Sequence, residues 1–452
     1  MKVAILGGGI TGLTAAWQLS KAGHSVKVLE SAPRVGGNIR TDAVDGWLAE
    51  AGPNSFQEAS PEISALIAEL GLAAERITTE PAAKKRFLML GGRLIAAPAG
   101  PGQFFSTPLF SFGTKVKILS EILQRPRNRP EDVSVSTFIT DHLGAQVLDR
   151  AVQPFIGGIY AGNSERLSAR YAFPKLWEAE KTTGSFIRAG IKGARKRRDQ
   201  GLKGSAPVIS FKRGLQALTD ALAARLPAGS IELGADVRAL NPGATSRWQV
   251  TWDGPGGAQS GDFDFVLAAL PAWSLARLEV GADRGKPLSA LSEVEYSPVA
   301  SLFLGFRRDQ VSHPLDGFGA LVPKGEKRSI LGLLFSSSLF PGRAPEGHVG
   351  LTVFTGGALQ PEIAKLPQAE LMERVCGDLK DLVGAQGKPV FSRHVLWNRA
   401  IPQYNLGYGR FMEAMAQCEA RFPGFLIGGS VRDGIALPDC IKSGTQLAKR
   451  VS

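Results

Sequence analysis

Val3-Ala4-Ile5-Leu6-Gly7-Gly8-Gly9-Ile10-Thr11-Gly12 opens the chain and decides its fold. The first four residues form an apolar run, β-branched at Val3 and Ile5. They predict a parallel strand buried on both faces. Gly7, Gly9 and Gly12 then supply a G-x-G-x-x-G turn. Leu13 to Ala22 is rich in Ala and Leu and predicts a helix, with Gly23 just past its end. Val26-Lys27-Val28-Leu29 predicts a second strand, closed by Glu30. Each residue has a job in such a unit. Gly7 permits the turn, Gly9 lets a pyrophosphate approach the backbone, and Gly12 lets helix and strand pack closely. The helix N-terminus offers free N–H groups and a partial positive charge to phosphates. Glu30 can accept hydrogen bonds from ribose hydroxyls and would repel a 2′-phosphate, which argues against NADP. The unit predicts dinucleotide binding.

Working outward, Arg34-Val35-Gly36-Gly37 brings a second glycine pair close to the first. It suggests a second close approach to the same ligand, with Arg34 adding charge neutralisation at the pyrophosphate. Gly46-Trp47-Leu48-Ala49-Glu50-Ala51-Gly52-Pro53 follows. At the other end, Phe425-Leu426-Ile427-Gly428-Gly429 is a strand running into glycines. Gly434-Ile435-Ala436-Leu437-Pro438-Asp439-Cys440-Ile441 then leads into a final helix through Lys449. That places another helix N-terminus beside a glycine-rich loop.

Glu30-x-x-x-Arg34-x-Gly36-Gly37, with this C-terminal segment, resembles the FAD-dependent amine-oxidase superfamily. The resemblance implies FAD as cofactor. It implies Glu30 on the adenosine ribose, Arg34 near the phosphates, and Gly36, Gly37, Gly52 and Pro53 around the same ligand. Gly429, Leu437, Pro438 and Ile441 would belong to the segment closing over the flavin ring, and Val237 would meet adenine through its backbone. Further segments resemble the protoporphyrinogen oxidases, end to end: Gly157-Gly158-Ile159-Tyr160-Ala161-Gly162-Asn163-Ser164, Phe173-Pro174-Lys175-Leu176-Trp177-Glu178-Ala179-Glu180, Arg86-Phe87-Leu88, Gly317-Phe318-Gly319-Ala320-Leu321-Val322-Pro323 and Leu437-Pro438-Asp439-Cys440.

What this implies is a six-electron oxidation of protoporphyrinogen IX with O2 as acceptor, releasing H2O2, in haem biosynthesis. Arg86 would pair with a substrate propionate. Leu321 and Phe354 would sandwich pyrrole rings beside Phe318, and Gly158 would approach the macrocycle with its backbone. Such a site needs an apolar slot and a cation near its mouth. Catalysis is then positioning over the flavin, so no residue is assigned as an acid, base or nucleophile. By sequence pattern alone Arg86, after Lys84 and Lys85, reads as a solvated run, and Phe318, Leu321 and Phe354 as core. Coproporphyrinogen III is the close rival substrate. A flavin amine oxidase or carotenoid desaturase is more distant, with Tyr404 and Tyr408 as candidates for an amine cage, though the C-terminal segment lacks the aromatic–Glu pattern expected there. A porphyrin- or haem-binding chaperone is the non-enzymatic alternative.

Composition adds limits. Of 452 residues, 44% are hydrophobic, enough for a large core, and the net charge is +12. That charge fits nucleic acid, an anionic membrane surface or a polyanionic small substrate, of which nucleic acid is not expected as a partner. Cys376, Cys418 and Cys440 form no CxxC pair, which argues against a disulfide framework. Cys440 reads as a packed small residue. The five histidines are scattered, so no metal site is expected. The N-terminal apolar run leads into a turn rather than a cleavage site, and nothing is long enough to span a membrane. The expected location is cytoplasmic, with peripheral contact at the inner face of the cell membrane as the sharper reading. A homodimer and a hand-off to a chelatase are open partner readings.

The expected architecture is α/β. A FAD-binding Rossmann-like domain (1–85, 205–270, 395–452) is interleaved with an α+β substrate domain (86–98, 271–394). A helical subdomain (99–204) follows the first crossing. Within it, Phe104, Phe105, Leu109, Phe110 and Phe112 are dense aromatics and apolars, and Val116, Ile118, Leu119, Ile122 and Leu123 form a helical stripe. This surface is expected to dip into the bilayer, with Lys115, Lys117 and the Lys192–Arg198 cluster at the headgroups.

Overall fold

A computed structural model describes residues 1–199, 206–243 and 247–451. The opening unit folds as its sequence requires. Strand β1 (Lys2–Leu6) runs into helix α1 (Ile10–Lys21) and returns as β2 (Ser25–Glu30). The helix begins three residues earlier than its Ala/Leu content predicts. Gly9 is extended (φ −74°, ψ 177°) and stands as N-cap, so the last part of the glycine motif is the first helical turn.

Three later strands complete this sheet: β3 (Ile231–Leu233), β4 (Phe265–Ala268) and β5 (Phe425–Ile427). The order is β3-β2-β1-β4-β5, and every pairing is parallel. Val3 and Ile5 face one core cluster with Leu13 and Leu19, whereas Ala4 and Leu6 face another with Val266 and Phe425. Burial on both faces is why the strands read as continuous apolar runs. The run Phe263–Ala268 is broken at Asp264. Phe263 ends an antiparallel strand (Gly257–Phe263), and Phe265 starts β4. Asp264 accepts the Lys2 N–H at 2.7 Å there.

A second sheet has seven strands. From one edge to the other they are Phe391–Pro402, Tyr296–Arg307, His348–Gly356, Ile330–Leu334, Gly317–Leu321, Lys85–Leu90 and Arg93–Ala96. One face is covered by the helix Gln368–Val383, through Leu371, Val375 and Leu379. A domain division at 394/395 falls inside the strand Phe391–Pro402, which pairs along its length with Tyr296–Arg307. The whole strand therefore belongs to this sheet. Between Pro101 and Asp199 the named elements are helical among the described residues. The expected boundary at 204/205 lies outside the described residues.

Candidate active site

Three glycine segments converge on the N-terminus of α1. Gly7 has φ +101°, which favours glycine. A β-carbon on Gly12 would stand 2.0 Å from the Gly7 carbonyl oxygen, so helix and turn touch through bare backbone. A β-carbon on Gly9 would meet nothing within 4 Å. No side chain caps the first turn, and that turn carries no acidic residue. The second segment docks beside it: the Gly36 N–H donates to Gly8 O at 2.8 Å, and a β-carbon on Gly37 would stand 3.5 Å from Gly9 Cα. The third arrives from the C-terminus. Thr11 Oγ1 donates to Cys440 O at 3.1 Å, and a β-carbon on Gly429 would stand 3.6 Å from Thr11 Oγ1.

Glu30 ends β2 beside this cradle. Its carboxylate accepts the Gly8 N–H at 2.6 Å and the Ala32 N–H at 2.8 Å, which holds it at the turn with lone pairs to spare for ribose hydroxyls. The Ala235 N–H donates to Glu30 O at 2.9 Å, bringing the segment leading to Val237 alongside. Open space at Gly9, an uncapped first turn and an acid at the end of β2 fit the pyrophosphate and ribose of a dinucleotide.

Arg34 lies in the second glycine segment. Its Nη1 donates to the carbonyls of Val35 and Ile39, and its Nη2 to that of Gly37. The guanidinium holds the curl of the glycine loop that docks on the turn. Gly52 packs against Asn38, where a β-carbon would lie 2.0 Å from the carbonyl oxygen, and Pro53 follows it. Leu437 and Pro438 open the C-terminal helix, which again has no side-chain cap. Ile441 is buried in the core cluster with Leu13, so its side chain packs that helix against α1. The Cys440 thiol donates to Gly434 O and burial pushes it up to about 12, as suits a packed, unreactive residue.

Tyr404 and Tyr408 do not form an amine cage. Both are buried, and their hydroxyls donate to Ser430 O at 2.5 Å and Val431 O at 2.7 Å. Burial raises both phenols, so they stay neutral donors and hold up the glycine loop.

The substrate candidates meet on the other face of the seven-stranded sheet. Leu321 pairs with Gly332, Gly332 with Phe354, and Phe354 with Ser301, so these four lie in one row. Gly332 separates two half-buried apolar side chains, and Leu321 Cδ2 lies 3.2 Å from where a β-carbon on Gly332 would stand. Sequence reading missed it; the signal was an isolated glycine inside the strand pattern Ile330–Leu334. The helix Gln153–Ile159 crosses this row, with Gly158 directly over Leu321: a β-carbon there would stand 2.7 Å from Leu321 Cδ2. Arg86 shares the face, because Leu88, two residues on, pairs with Leu321. A bulge between Gly317 and Gly319 turns Phe318 toward the same side. The Arg86 guanidinium lies 5.0 Å from its ring and has no ion pair among the described residues. The result is an apolar row packed under a helix, with a cation free of ion pairs among the described residues at its edge.

The flavin containing amine oxidoreductase family matches residues 10–452. Protoporphyrinogen oxidase 2, chloroplastic/mitochondrial, of Arabidopsis thaliana is 34% identical, over 100% of this chain and 93% of that protein. The Bos taurus protoporphyrinogen oxidase is 34% identical, over 99% and 98%. Among solved structures, an Exiguobacterium protein provisionally assigned as a protoporphyrinogen oxidase superposes with a TM-score of 0.82 at 23% identity, covering 100% of this chain and 98% of that one. Reduced UDP-galactopyranose mutase shares the fold at 0.74 and 17%, over 100% and 95%. The cradle is thus a flavin site that fits FAD, and the chain belongs to the flavin containing amine oxidoreductases and, within them, to the protoporphyrinogen oxidase family.

Proposed function

We propose that the protein oxidises protoporphyrinogen IX to protoporphyrin IX. One observation carries this reading: the row Leu321–Gly332–Phe354 under Gly158, with the unpaired Arg86 at its edge. A reduced tetrapyrrole is a broad apolar ring with carboxylate arms, and the row offers apolar contact to one and a cation to the other. FAD, held by the Gly7–Gly12 turn and Glu30, would supply hydride acceptance and reoxidation by O2. The chain contributes position. Arg86 anchors a propionate, and Leu321 and Phe354 clasp pyrrole rings.

The test is anaerobic mixing of the flavin-loaded protein with protoporphyrinogen IX, with coproporphyrinogen III and a polyamine run in parallel. Rapid bleaching of the flavin absorbance by protoporphyrinogen IX, ahead of the other two, is expected. Equal rates with both porphyrinogens, or bleaching by the amine alone, would overturn the choice of substrate.

Peripheral membrane contact at the inner face of the cell membrane is part of the same proposal. Phe105, Phe112, Val116, Leu119 and Leu123 are all exposed, Phe112 by 83%, and Phe155 and Ile159 on the slot-covering helix join them. Among the described residues no helix is long and apolar enough to cross a membrane. Lys115 and Lys117 contribute less than expected, since their ammonium groups bind the carbonyls of Phe105, Thr107 and Thr140. Headgroup contact would fall to Lys192, Arg195, Lys196 and Arg198, all exposed. Recovery of all the protein in the supernatant, at low salt and in the presence of anionic vesicles, would sink this part.

A further inference from the structure

A cleft at the far end of the seven-stranded sheet plays no part in the reading above. It holds about 250 Å³, and its lining includes Arg308, Arg343, His348, Ser337 and Ser338 but no carboxylate. Arg343 is 2% exposed. Its Nη2 donates to Ser210 Oγ at 2.7 Å and to Phe211 O at 3.3 Å, while its Nη1 is buried without a hydrogen-bond partner. Arg308 repeats the pattern: Nη2 donates to His313 O at 2.6 Å, and Nη1 is buried and unpartnered. Two residues of one cleft lining that each carry an orphaned guanidinium nitrogen are unusual, because buried donors nearly always find an acceptor.

The nearest carboxylate is a poor counter-ion. Glu50 lies 3.8 Å from Arg343 and is committed to the Thr41 hydroxyl at 2.7 Å and the Leu215 N–H at 2.8 Å. Burial also pushes Glu50 up to about 7, which weakens its charge further. The cleft has other donors. Ser337 Oγ accepts the Gly350 N–H at 3.0 Å and keeps its own proton free, and Ser338 stands next to it.

We propose that this cleft binds a small oxyanion, a phosphate or a carboxylate, between Arg308 and Arg343. Planar guanidinium groups suit both through paired N–H···O bonds. The site is separate from the slot. On the strand Tyr296–Arg307, Ser301 pairs with Phe354 in the slot row and Arg307 with His348 at the cleft. Those six residues put the two roughly 20 Å apart. Arg343 also bridges this sheet to Ser210 and Phe211 of the strand Val208–Phe211. A bound anion would therefore fasten the seam between the substrate sheet and the flavin-binding part.

The test uses flavin-loaded protein in chloride buffer at constant ionic strength. It is titrated with inorganic phosphate and, separately, with succinate, by calorimetry and by the thermal unfolding midpoint. Saturable binding with a raised midpoint is expected, and the anion with the lower Kd names the source. Arg308→Met leaves the buried Arg343 in place and should raise Kd about tenfold or more. Arg86→Ala, in the slot, should leave Kd unchanged. A response no greater than that to chloride would overturn the proposal. So would binding that survives Arg308→Met and is lost in Arg86→Ala.

Discussion

Leu321 Cδ2 reaches within 2.7 Å of the point where a β-carbon on Gly158 would stand. The contact is with the flexible end of a side chain, so one methyl group on Gly158 displaces Leu321 rather than the backbone. Gly158 is exposed in the helix Gln153–Ile159, where Ala is favoured over Gly by about 1 kcal/mol. Gly158→Ala should therefore keep or raise the unfolding midpoint. Narrowing the slot should raise KM for protoporphyrinogen IX about tenfold with kcat little changed. An unchanged KM in the variant would mean that this helix does not roof the slot.

Arg86 has no ion pair among the described residues and rests against Phe318. A charge-assisted hydrogen bond to a propionate is worth roughly 1.5–3 kcal/mol. Arg86→Ala should raise KM by about that equivalent, and Arg86→Lys should recover part of it. Flavin content per chain should not change. A fall in flavin content would place Arg86 with the cofactor instead.

The residues that were legible in sequence are those whose role depends on near neighbours. Gly9 and Gly12 declare themselves because strand, turn and helix follow one another within twenty residues or so. Roles set by register stay hidden. Gly332 matters because its neighbours across two strand pairings are Leu321 and Phe354. Phe318 reaches the slot face because a bulge shifts it. Arg34 spends its donors on carbonyls one to five residues away, a choice that the loop's curl makes and composition does not. Tyr404 looks like an active-site aromatic until Ser430, far along the chain, turns out to hold its hydroxyl.

Gly9 and Gly12 should respond differently to one added methyl group. At Gly12 it would sit 2.0 Å from Gly7 O, and backbone cannot yield as a side chain can. Gly12→Ala should cost about 3 kcal/mol of stability. At Gly9 the space is empty and φ is −74°, which alanine adopts freely. Gly9→Ala should fold normally by circular dichroism yet lose most of its flavin absorbance, because the methyl group occupies the place of a phosphate. A fully yellow Gly9→Ala protein would move the pyrophosphate away from this turn.

Glu50 gives the fold a pH dependence of definite sign. Burial raises its pKa from an ordinary 4.5 to about 7, against the opposing pull of the Thr41 hydrogen bond and Arg343. The folded protein thus holds this proton more tightly than the unfolded chain. The contribution to stability is fully present below about pH 4.5 and is lost as pH rises through about 7. The full difference is on the order of 3 kcal/mol. Glu50→Gln keeps a neutral acceptor for the Leu215 N–H, so it should remove this loss. Urea unfolding from pH 4.5 to 8 should show wild type falling relative to the variant across that window, with the gap constant above it. Parallel curves for the two proteins would mean that Glu50 stays ionised throughout, held as a carboxylate by Arg343.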